Sequence, residues 1–214
     1  RWLTGMLLGG ATLVKFLPAA MVPSFWHRRD WRMPLAGVLT VLVLYAWYIG
    51  AGTRVLGFLP RYATEEGISQ GSGIWLLAGL GHITRLPMIA VEIYLAVAAC
   101  FLAGLCAWVI KDHADDIAAV TGHAAILGAT TMVVLSPHYA WYYPWLALPC
   151  CIRPLRSVIY MSAAGLLLYV NPLNEHFFWP SLVFVPAGVL ALLDLRSGGL
   201  TPRPGKEALS WARR

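Results

Sequence analysis

The run PMIAVEIYLAVAACFLAGLCAWVI, residues 87–110, carries one charged side chain, Glu92, between Arg85 on one flank and Lys111 on the other. About 20 apolar residues suffice to cross about 30 Å of hydrocarbon at about 1.5 Å per residue, so this stretch predicts a transmembrane helix. Outward from it the pattern recurs. Of the 214 residues 59% are hydrophobic and 12% charged, and the mean hydropathy is +0.66. A soluble domain carries about 25% charged residues, so a water-soluble fold of this chain would expose too much apolar surface. The class is all-α, a polytopic helix bundle.

Further spans are expected at roughly 3–25, 35–52, 117–136, 157–171 and 177–195. A short apolar piece, residues 141–152, must recross after Ser136-Pro137 as a Pro-broken helix if the topology is to close, which makes six or seven spans. Ile74 to Ile83 is too short to cross and reads as an interfacial or re-entrant helix. Between the second span and that helix lies a long loop, 53–73, of a length that usually signals binding. Segment 3–25 is compatible with one crossing or with a hairpin dipping in from one side. Residues 1–195 form the membrane domain. The tail 196–214, polar and rich in Gly and Pro, is expected to be a disordered cytoplasmic extension.

The net charge of +6 is spread in short clusters between apolar runs rather than gathered on a face for nucleic acid. With His27–Arg32 placed in the cytoplasm, alternation puts eleven of the sixteen lysines and arginines on that side and three, Arg54, Arg61 and Arg85, opposite. This asymmetry predicts a cytoplasmic C-terminus in a bacterial inner membrane. The chain begins Arg1-Trp2 without Met or a signal peptide, and is expected to be the C-terminal portion of a longer protein.

Alternation brings three polar, aromatic segments to the outer face: 57–67, 136–145 and 171–179. The second reads Ser-Pro-His-Tyr-Ala-Trp-Tyr-Tyr-Pro-Trp. An interfacial aromatic belt needs neither two prolines nor a histidine. Stacked rings with polar edges suit a sugar face, and His138 suits a phosphate or hydroxyl. Glu65 and Glu66 share the loop with Arg61; adjacent carboxylates do not form an acid–base pair by spacing alone. Lys15 lies midway along its apolar segment, where a charge is either functional or snorkelling. Glu92 is within reach of Arg85, and His123 reads as a packing residue. Gly5-x-x-x-Gly9 signals close helix packing.

The four cysteines, Cys100, Cys106, Cys150 and Cys151, have no metal-ligand spacing and read as buried small hydrophobes. No Walker A, H-E-x-x-H, G-x-S-x-G or dinucleotide fingerprint occurs. No cofactor is expected, although a divalent metal is compatible.

Two stretches together resemble the GT-C class of integral membrane glycosyltransferases, and within it the family-87 mannosyltransferases. The first is Gly5-Met-Leu-Leu-Gly-Gly-Ala-Thr-Leu-Val-Lys15-Phe-Leu-Pro18, whose lysine matches the family's G-x-x-x-x-K-x-x-P. The second is 136–145, in which Ser136, Pro137, Trp141 and Trp145 match. Tyr142-Tyr143 stands where some members show a His pair, and His138 stands in for those histidines. The resemblance implies transfer of a sugar, mannose first, from a polyprenyl-phosphate donor to a glycan or glycolipid acceptor on the periplasmic side. It also implies a general-base Asp, expected upstream of this chain. The donor contacts expected are His138, Tyr139, Trp141, Tyr142 and Trp145, with Lys15; Glu65 and Glu66 are further substrate candidates from the length of their loop. Arg61, Arg85 and His176 are candidates for the lipid phosphate. The alternatives are a transporter or flippase of a lipid-linked sugar, which would show an inverted repeat, and a non-catalytic membrane scaffold.

Overall fold

The computed structural model describes residues 1–27, 29–57, 59–112, 116–170 and 178–196. His113, the segment 171–177 with His176, and the tail 197–214 lie outside the described residues. The described chain is helical, with no strand. Among the described residues three helices are long and apolar enough to cross a membrane: α6 (Met88–Lys111), α7 (Ile117–Leu135) and α10 (Phe178–Arg196).

The first expected span is not one helix. α1 (Trp2–Val14) ends where Lys15 turns extended, at φ −149° and ψ 137°. Pro18 has no N–H to offer the Val14 carbonyl, so the ladder cannot continue. The chain returns through a 3-10 turn, Leu17–Met21, and α2 (Val22–Phe25), which itself opens on Pro23. The two legs meet again at the base: Arg1 Nη1 lies 3.1 Å from Asp30 Oδ2, and Trp2 stands edge-on to Trp31 at 5.9 Å. Residues 1–31 are therefore a hairpin with Lys15 at its tip.

α3 (Arg32–Ala46) then runs alongside α1. A Cβ on Gly5 would sit 2.1 Å from the Met33 carbonyl oxygen, and one on Gly9 would sit 2.6 Å from that of Gly37. The Gly5-x-x-x-Gly9 stripe is thus a backbone-to-backbone contact, the close packing its spacing predicts.

The loop expected at 53–73 holds more regular structure than its composition suggests. A 3-10 segment, Ile49–Leu56, is followed by α4 (Leu59–Glu65) and a series of turns, and α5 (Trp75–Ile83) is the short apolar helix.

α7 is the axis of the bundle. Alanine, glycine and threonine fill it, and from Thr121 to Met132 every residue is buried. Small side chains let neighbours approach on all sides, and the return leg of the hairpin, α8 (Ala147–Ile152), α9 (Arg156–Ala164) and α10 all pack on it. His123 is among its buried residues, edge-on to Trp108 at 5.6 Å with Asp112 Oδ2 3.3 Å from its Nε2. α6, by contrast, presents Met88, Ile89, Ile93, Val97 and Phe101 outward, as a lipid-facing helix would. Arg85 and Glu92 are both exposed and form no ion pair with each other.

The expected span 157–171 is α9 followed by a 3-10 turn, Gly165–Tyr169. It is fastened to α10 by Asp194, whose Oδ2 accepts from the Ser157 N–H at 3.0 Å and from the Ser157 hydroxyl at 2.8 Å. That carboxylate satisfies a first-turn N–H that α9 itself cannot.

Candidate functional site

α7 stops at Ser136, which adopts the left-handed conformation (φ 42°) common at helix C-termini, and Pro137 bars its continuation. Ser136 Oγ accepts from the Trp75 N–H at 2.8 Å, so the end of α7 caps the start of α5. The Trp75 indole in turn donates to Ser181 Oγ of α10 at 3.0 Å. Beyond Pro137 the chain folds back on itself. The Tyr143 ring is fully buried and its hydroxyl donates to the Pro137 carbonyl at 3.0 Å.

Folded this way, the segment displays the rings of His138, Tyr139, Trp141 and Tyr142. Tyr139 and Trp141 stack at 4.2 Å with 11° between planes, and His138 lies 4.2 Å from Tyr139. Lys15 arrives from the hairpin tip: its ammonium donates to the Trp141 carbonyl and sits 5.3 Å above the Tyr142 ring.

Glu66 arrives from the turn after α4. Gly67 there has φ 68°, open to glycine at no steric cost, and Gly73 packs so close that a Cβ would meet the Glu66 carbonyl oxygen at 1.7 Å. The Gly73 N–H closes the turn on the Gly67 carbonyl at 3.0 Å. Held so, Glu66 Oε1 accepts from the Tyr142 hydroxyl at 3.0 Å, and Oε2 lies 3.7 Å from His138 Nε2. The second distance is one of charge pairing rather than a direct hydrogen bond. Burial holds His138 below the ordinary histidine value, with the Glu66 charge opposing.

Lys15, Glu66, His138, Trp141 and Tyr142 line one cavity of about 460 Å³. Its size is that of a small-molecule site. It presents one cation, one carboxylate, an imidazole and an aromatic wall, which together suit a phosphorylated, hydroxyl-bearing ligand. Among the described residues no group of three or more His, Cys, Asp and Glu is placed to hold a metal.

The remaining sequence candidates stand apart. Tyr139 backs Trp141 rather than lining the space. Trp145 turns inward and packs on Gly128 of α7. Glu65, Arg61 and Arg85 are exposed and line no part of the cavity. His176 lies outside the described residues. Sequence reading passed over the apolar wall, Phe16, Leu17, Ile68 and Leu135. The Leu17-Pro18 break is the signal that marks the first two, since it makes them a hairpin tip.

The family model of glycosyltransferase family 87 matches residues 1–137, which takes in the hairpin, α3 to α7 and Ser136-Pro137. No curated protein and no solved structure matches the chain.

Proposed function

Because this chain belongs to glycosyltransferase family 87, and so is a membrane glycosyltransferase, we propose that it takes its sugar, mannose first, from a polyprenyl-phosphate donor and delivers it to a glycan or glycolipid hydroxyl on the outer face of a bacterial inner membrane. The observation that carries this reading is the convergence of Lys15, Glu66, His138, Trp141 and Tyr142 on one cavity, from three segments far apart in sequence.

In this reading the donor phosphate lies at the Lys15 ammonium, where a cation offsets the charge that grows as the leaving group departs. Trp141, backed by Tyr139, offers the sugar a flat apolar face, and His138 and Tyr142 reach its hydroxyls. The acceptor oxygen bonds to the anomeric carbon, and the bond from that carbon to the phosphate oxygen breaks. Polyprenyl phosphate leaves with the electron pair, and the acceptor's proton passes to a carboxylate base. The cavity residues bind and orient; none of them is assigned as that base. Arg61 and Arg85 are kept only as surface cations for an anionic lipid.

The test supplies membranes containing the protein with radiolabelled polyprenyl-phosphate mannose and, separately, with other lipid-linked sugars. Transfer of label to an acceptor is expected, with loss in His138→Ala and Trp141→Ala variants that still fold. Label that crosses the bilayer without transfer would overturn the reading in favour of a flippase.

A further inference from the structure

We propose that Glu66 sets sugar specificity: its carboxylate accepts hydrogen bonds from the hydroxyls of a neutral sugar and turns away a sugar that itself carries a carboxylate. The inference rests on the cavity being the donor site and says which class of donor fits it.

The cavity is polarised. Among the described residues, and besides the Tyr142 phenol, the ionisable groups that line it are Lys15, Glu66 and His138. Lys15 is drawn to one wall by the Trp141 carbonyl and the Tyr142 ring. Glu66 accepts from the hydroxyl at the edge of that same Tyr142 ring and faces His138, at 15% and 16% side-chain exposure. A sugar phosphate has matching ends, one anionic and one rich in hydroxyl donors, so the phosphate goes to Lys15 and the hydroxyls to Glu66.

The carboxylate is only partly used by the protein. An ionised carboxylate has about four acceptor positions. Tyr142 takes one on Oε1 and His138 faces Oε2, which leaves room for a ligand's O–H. The imidazole does not cancel its charge at neutral pH, because burial keeps His138 in the neutral form. The sugar end of the cavity therefore carries a net negative charge in a low-dielectric setting, where an unpaired like charge is costly.

The turn is built to hold this group still. Glu65, one residue earlier, is exposed, whereas Glu66 is directed inward by the Gly67 and Gly73 geometry described above. Specificity of this kind needs a fixed repulsive element as well as an attractive one.

The experiment compares two synthetic donors on the same polyprenyl phosphate, one bearing a neutral hexose and one a hexuronate, in membranes containing the protein. The wild type is expected to transfer the hexose and reject the hexuronate. Glu66→Gln keeps an acceptor for Tyr142 but removes the charge, and should raise the hexuronate-to-hexose ratio at least about tenfold. Tyr142→Phe keeps the charge and should leave that ratio within about twofold, whatever it does to the rate. A second measurement needs no altered carboxylate. Acidification that protonates His138 should relax the discrimination of the wild type, and a His138→Gln variant should lose that pH response.

Equal transfer of both sugars by the wild type, or an unchanged ratio in Glu66→Gln with no pH response, overturns this inference alone. Transfer of neither sugar removes the donor reading of the cavity and this inference with it.

Discussion

Lys15 donates a hydrogen bond to the carbonyl oxygen of Trp141, 126 positions further along the chain. The contact joins the tip of the N-terminal hairpin to the loop that follows α7, and it brings a cation to the edge of an aromatic wall. If that cation receives the donor phosphate, Lys15→Met should raise the donor KM by about tenfold or more, since hydrogen bonds to charged groups contribute about 1.5–3 kcal/mol. Lys15→Arg should recover part of the loss. The check is a donor titration at saturating acceptor; an unchanged KM in Lys15→Met would remove the phosphate role.

Tyr142 is tied to Glu66 by one hydrogen bond of 3.0 Å. Tyr142→Phe deletes it while keeping the ring under Lys15. The expected effect is a loss of about 1 kcal/mol of stability. Thermal unfolding of Tyr142→Phe against the wild type, in one detergent, reads it.

The α1–α3 contact predicts a sharp contrast between two glycines of α1. Gly5→Val must push a side chain into the Met33 carbonyl, whereas a methyl group at Gly10 would meet nothing within 4 Å. Gly5→Val should lower stability by about 1–3 kcal/mol or more, the range for overpacked sites. Gly10→Ala should be neutral or slightly stabilising, as expected in a helix. Thermal unfolding in one detergent compares the two.

Asp194 is 5% exposed and holds both the N–H and the hydroxyl of Ser157. Asp194→Ala leaves those donors buried without that acceptor, at an expected cost of about 2–4 kcal/mol. Asp194→Asn keeps an acceptor oxygen and should cost less. A melting temperature of Asp194→Ala equal to the wild type would show that α9 and α10 hold together without this contact.

His138 also gives a pH signature to stability. Its folded value lies below the ordinary histidine value of 6.5, first because of burial. The unfolded chain therefore takes up a proton at a higher pH than the folded one. The stabilisation is fully present above the unfolded value and is lost as pH falls through it toward the folded value. Melting temperature should decline on acidification in that window, and His138→Gln should show a shallower decline.

Several of these features were readable in the sequence. The uncharged run 87–110 and its counterparts were enough for a helical membrane chain, because about 20 apolar residues have few other uses. Gly5-x-x-x-Gly9 announced a close helix contact, and Ser136-Pro137 announced a helix end. The aromatic segment after it could be singled out by composition. What composition could not show was direction: Trp141 and Trp145 read alike in sequence, yet one faces the cavity and the other packs on Gly128.

The sequence by itself determined the class of the chain, its family resemblance and the stretches where polar chemistry gathers, since these follow from apolar run length, prolines and local motifs. Only the tertiary structure decided that residues 1–31 double back rather than cross once, that Glu66 and not Glu65 enters the cavity, and that Lys15 meets Trp141. The physical reason is range. Each of those outcomes depends on contacts between residues dozens to more than a hundred positions apart, and on which side of a turn a side chain falls; a local signal such as Leu17-Pro18 permits the outcome without deciding it.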